Sequence, residues 1–126
     1  MTKPDDMPNW VWEFDATYDV PDAITQMEGI EDLSWHNDAC PNFGIYREVG
    51  NANHFLLIWV DHPDEYRREN GPNMARFLVG SHEDHAEDQW REHYFGDDER
   101  EAVRAFMEAL PAFYARIAET RARLSA

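Results

Sequence analysis

The chain has 126 residues, 43% of them apolar, which is material for one core and too little for two, and its formal charge is −15. That charge repels phosphate backbones and anionic lipid, so no nucleic acid and no membrane surface is expected as a partner. The longest apolar run, residues 55–60, is far short of the ~20 residues that cross a bilayer. Cys40 is the only cysteine and has no internal disulfide partner, and the first ten residues lack the basic start and apolar run of a signal peptide, so the expected location is the cytoplasm.

Residues 1–8 hold two prolines, two aspartates and no apolar periodicity, which predicts a mobile tail before one domain over 9–126. Over residues 10–14, Trp10, Trp12 and Phe14 alternate with Val11 and Glu13, the pattern of a strand with three rings on its core face. Residues 21–28 read as a two-turn helix: Pro21 starts it, Ala23, Ile24 and Met27 keep helical spacing, and Gly29 stops it. Residues 33–38 and 43–49 predict a hairpin, and the stretch 55–60, apolar on both faces, predicts a central strand of a covered sheet.

Residues 61–75 are polar, with Pro63 and Gly71-Pro72, and so form a long connection with one or two helical turns near 63–69, before strand character resumes at 76–80. In 81–95, Ser81 and Asp84 offer a helix cap while Trp90 and Tyr94 also fit a strand; the expectation is helix. From Asp98 onward a capping pattern with Glu101 opens a long helix whose stripe is Val103, Phe106, Leu110, Phe113, Ile117 and Leu124, with a kink expected at Pro111. The fold class is therefore α+β: a mostly antiparallel sheet of about five strands, with a short helix and the long C-terminal helix packed on one face.

Phosphate-binding loops need glycines at fixed spacing, whereas the six here are scattered singly, and neither Ser34 nor Ser81 sits in a Gly-x-Ser-x-Gly elbow. The run His82-Glu83-Asp84-His85 spaces its histidines three apart, one short of the zinc-protease helix motif. A looser divalent-metal site remains open, with His54, His82 and His85 as ligands, because pairing of the strands at 55–60 and 76–80 would bring His54 beside His82. In an extended chain His36, Asp38 and Cys40 face one way, gathering a base, a carboxylate and a thiol. The surrounding acids raise the thiol pKa and work against a thiolate, so a cysteine catalyst competes here with a small buried cysteine. No cofactor is otherwise implied.

Trp12, Phe14, Phe55, Leu57 and Trp59 are expected in the core. Trp35 and Trp90, beside polar residues at element ends, are candidate exposed binding residues together with Asp61 and His62 of the long connection. The acidity is uneven: residues 1–40 carry ten acids against Lys3 alone, residues 81–101 carry nine against two Arg, and the rest is nearly balanced.

Two function classes follow. One is a small acidic binding or regulatory module, inhibitor-, immunity- or adaptor-like, whose acidic zones meet a basic protein partner; it is uncertain as an enzyme and leans away from one. The other is a small enzyme or ligand-binding protein with a pocket near His36, Asp38 and Cys40 or at the 61–75 connection. The C-terminal stripe would also serve a homodimer.

Overall fold

The structure, a computed structural model, describes residues 2–69, 71–84 and 89–125. Five strands, β1 (Glu31–Asp32), β2 (Asn42–Val49), β3 (Ala52–Val60), β4 (Phe77–Asp84) and β5 (Gln89–Gly96), form one antiparallel sheet in the order β1-β2-β3-β4-β5. Two short helices, α1 (Asn9–Glu13) and α2 (Asp22–Thr25), precede the sheet, and one long helix, α3 (Glu99–Ser125), follows it. The expected α+β architecture is borne out, and no described helix is long and apolar enough to cross a membrane.

Alternation along the strands decides what each face does. Ala52, His54, Leu56, Ile58 and Val60 of β3 are all buried on one face, beside Phe43 and Ile45 of β2 and Phe77 and Val79 of β4. That face receives Ala102, Phe106, Ala109, Phe113 and Ile117 of α3, and Val20 and Ile24 from the N-terminal segment complete the core. The α3 stripe holds through Ile117, but Leu124 is 59% exposed and Thr120 takes the buried position near the end. Asp98 caps α3 by accepting from the amides of Arg100 and Glu101.

Four expectations change. The two-turn helix expected over 21–28 is a single turn, α2, with Gln26 already at its end. Residues 10–14 are not a strand: the Pro8 carbonyl accepts from the amides of Val11 and Trp12, and Trp10 donates its amide to Asp32 Oδ2 at 2.9 Å. A short aromatic run needs a neighbouring strand to satisfy its backbone, and here one helical turn and a carboxylate do so instead. The strand expected over 33–38 is absent; the strand beside β2 lies earlier, at Glu31–Asp32, and pairs only with Gly44 and Phe43.

The 81–95 helix is replaced by the ends of a hairpin. β4 runs on to Asp84 because Ser81, His82 and Glu83 continue the ladder with Leu56, Phe55 and His54. A register shift beside Val79 and Gly80 inserts an extra residue in β5, so Tyr94 points to the core and Trp90 to the other face. The bulge broke the period-two signal that would have identified this strand.

The 61–76 connection is braced by two arginines. Arg68, buried, donates to the carbonyls of His62 (2.8 Å) and Met74 (2.6 Å). Arg76 donates through Nε to the Asp61 carbonyl and through Nη2 to the carbonyls of Tyr18 and Asp19. His62 accepts the Asp64 amide at Nδ1, so it donates through Nε2 to Thr17 Oγ1 at 3.0 Å. The long polar loop is thus fastened to the N-terminal segment.

Candidate functional site

With α3 and the N-terminal segment on one face, the opposite face of the sheet carries none of the described α-helices. Its strand residues are Asn42, Gly44, Tyr46 and Glu48 of β2, Asn53, Phe55, Leu57 and Trp59 of β3, Leu78, Gly80 and His82 of β4, and Trp90, Glu92 and Phe95 of β5. Four rings cross four strands in a row: Tyr46 stacks on Phe55 (centroids 4.9 Å), Phe55 on His82 (4.5 Å), and His82 leans on Trp90 (5.9 Å). Trp90 and Phe95 are each 47% exposed. Gly80 makes room for this row, since a Cβ there would meet the Trp90 ring, with Cε2 at 2.9 Å.

Two cavities flank Trp59 on this side. One, about 270 Å³, lies among Leu33, Asp38, Tyr46, Phe55, Leu57 and His82. The other, about 260 Å³, lies between Cys40 and the long connection, against Asp61, Met74, Leu78 and Phe95. Asp38, Glu48, Asp61 and Glu92 stand on or around the face, and among its described strand residues there is no Lys or Arg. Burial lifts the Asp61 carboxyl above its ordinary range, and Glu69 adds to this, while the His62 amide and Arg68 oppose it.

The sequence-derived candidates separate on this map. His36 is exposed and its Nδ1 lies 2.7 Å from Glu13 Oε2; Asp38 accepts from Asn42 Nδ2 at 3.2 Å; Cys40 is buried. Each of the three thus has a different surrounding. Burial, reinforced by Asp61, Asp38 and Glu69, pushes the Cys40 thiol well above its ordinary range, which favours the protonated thiol over the thiolate.

His54 and His82 are on adjacent strands but opposite faces: His54 pairs with Glu83 and reaches Thr120 Oγ1 of α3 at 3.0 Å, while His82 stacks on Phe55. The one-residue offset in register separates them. His85 lies outside the described residues. Among the described residues no group of three His, Cys, Asp or Glu is placed to hold a metal. Glu83 instead pairs with Arg91 (3.2 Å) and Arg116 (3.6 Å). Trp35 is 52% exposed beside His36, and His62 is buried with both ring nitrogens engaged. Asp61 and Trp90 therefore lie on the open side of the sheet, and His62 in the brace beneath it.

One contact escaped the sequence reading because 81–95 was taken as a helix. Ser81 Oγ and His93 Nε2 are 2.9 Å apart, with His93 in the bulge between β4 and β5. Such a contact lets a base activate a hydroxyl. Ser81, however, is buried on the helix-covered face, and His93 Nδ1 has no partner among the described residues to orient the ring.

Desolvation, then the charges of Arg91 and Arg116, hold the His93 pKa below 6.5. A folded-state pKa below the unfolded one means that stability is complete above about pH 6.5 and falls as the unfolded chain takes up the proton first. Urea unfolding followed from about pH 8 to about pH 5 should show a loss of stability that is shallower in His93→Gln than in the wild type. Equal slopes would show that His93 is not depressed.

Comparison with protein-family models, with curated proteins and with solved structures gives no match, so the fold and this face are read from the chain's own residues.

Proposed function

We propose that this chain is a small acidic binding or regulatory module of the cytoplasm that engages a basic protein partner, as an inhibitor, an immunity factor or an adaptor does. The observation that carries the reading is the sheet face opposite α3: a row of rings, two cavities, a rim of carboxylates, and no Lys or Arg among its described strand residues. Aromatic residues anchor interfaces by filling pockets, and carboxylates around them steer a cationic partner and disfavour an anionic one. A phosphate backbone is repelled by a net charge of −15. A second copy of the chain would bring two acidic rims together.

A ligand-binding reading draws on the cavity that joins Cys40 to the long connection, the two regions that the sequence put forward separately. The protonated thiol supports binding there over cysteine chemistry.

Affinity capture on the wild type and on a Trp90→Ala, Phe95→Ser double variant checks the main reading. Both side chains are about half exposed, so their loss leaves the core intact. The expected result is a basic protein retained by the wild type, weakened at least about tenfold by high salt and by the double variant when binding is measured with the purified pair. Capture that is insensitive to both salt and the variant would overturn it.

A further inference from the structure

We infer that the cavity bounded by Trp59, Asp61, Leu78 and Phe95 is a cation pocket that seats one arginine side chain of the partner. The inference rests on the binding-module reading above and names the contact at its centre. At about 260 Å³ the cavity lies below the range of drug-sized ligand sites and suits a single long side chain. Its walls are the rings of Trp59 and Phe95 and the apolar groups of Leu78 and Met74, against which an arginine stem and a planar guanidinium both pack.

Asp61 supplies the charge. One oxygen accepts the His62 amide at 2.7 Å, and among the described residues the carboxylate has no ion-pair partner. Arg76, the other charged side chain on the wall, is held by backbone carbonyls and not by the Asp61 carboxylate: its guanidinium donates to the carbonyls of Tyr18 (2.9 Å), Asp19 (2.9 Å) and Asp61 (3.1 Å). Cys40, protonated, adds no charge of its own.

An apolar side chain in this cavity would strip water from Asp61 and return nothing, which is unfavourable for a carboxylate. A cation returns the lost hydrogen bonds and charge. Burial already lifts the Asp61 pKa, which marks the carboxylate as partly desolvated before any ligand arrives. Arginine is favoured over lysine because its flat, weakly hydrated head stacks on rings while pairing with a carboxylate.

The test is a nuclear magnetic resonance titration of the full chain with N-acetyl-arginine N-methylamide, set against the citrulline and lysine analogues. The expected result is saturable shifts of the Trp59 indole and of the Asp61 and Phe95 amides with the arginine probe. Citrulline, neutral and of nearly the same shape, should bind about tenfold more weakly, and so should the arginine probe to Asp61→Asn. Phe95→Leu, at an exposed position, should weaken the arginine probe without touching the core. Lowering the pH towards the Asp61 pKa should release it.

Equal binding of arginine and citrulline, or of arginine and lysine, overturns the assignment, as does Asp61→Asn binding arginine like the wild type. If a basic partner is retained through Trp90 and Phe95 and Asp61→Asn holds it unchanged, the pocket fails while the binding face stands. Arginine seating in the cavity with no protein partner recovered sinks the partner reading and leaves the pocket supported.

Discussion

Gly44→Ala is expected to cost the fold about 3 kcal/mol or more, a loss seen as a large drop in the urea midpoint with little change in slope. The obstacle is backbone. A Cβ at this position would overlap the Leu56 carbonyl oxygen and lie 3.0 Å from the Leu56 carbon and the Leu57 Cα. Gly44 pairs with Leu57 on one side and Glu31 on the other, so relief means parting β2 from β3 where both are buried. Gly80→Ala is the informative contrast. There the Cβ meets only the ring of Trp90, which is half exposed and free to swing outward, so the change should disturb Trp90 fluorescence more than stability. A Gly44→Ala chain as stable as the wild type would show that the β2 and β3 backbones are farther apart than the structure has them.

Phe106→Ala is expected to remove about 3–5 kcal/mol, a large share of the ~5–15 kcal/mol by which a domain is usually stable. Phe106 is among the largest fully buried side chains and, with Phe113, is one of two α3 rings in the core cluster that also holds Ile58 and Val79. Its truncation leaves a void under a helix whose outer side is already polar, with few neighbours able to collapse into it. Met107, the next residue, is more than half exposed, so Met107→Ala should change the unfolding free energy by less than about 0.5 kcal/mol. Equal effects at the two positions would mean that α3 is rotated about its axis from the orientation described. The pair also separates the core from the open face, because neither residue contributes to the Trp59 side of the sheet.

The difference between these sites and the candidate site explains how much was legible beforehand. Helical spacing in 98–117 records a face that touches the core every three or four residues, so the middle of α3 could be read directly. The capping of α3 by Asp98 is a local interaction and was equally visible. The central place of β3 followed from residues 55–60 being apolar on both sides. That same observation held the open face, but it reads identically whether the second apolar side is covered or bare. Trp59 and Phe55, expected in the core, therefore line the cavities of the uncovered face instead.

The misread segments share one physical cause. Residues 10–14 alternate as a strand does, yet a strand exists only where another offers its backbone, and here Asp32 and Pro8 take up the amides. In 81–95 the bulge beside Val79 and Gly80 shifts the alternation by one, which left a helical cap pattern as the stronger local signal. His54 and His82, expected side by side, are kept on opposite faces by one residue of register: neighbours across a ladder meet only when their registers agree in parity.

The sequence by itself determined the acidity, the lone cysteine, the α+β class, the central strand and the C-terminal helix, because each rests on composition or on contacts between residues close along the chain. Only the tertiary structure decided that one sheet face carries no described helix, that Cys40 and Asp61 share a cavity with Trp59 and Phe95, and that Ser81 meets His93. Those relations depend on strand register, on the bulge and on which face α3 covers, and such long-range pairings are set by the packing of the whole chain.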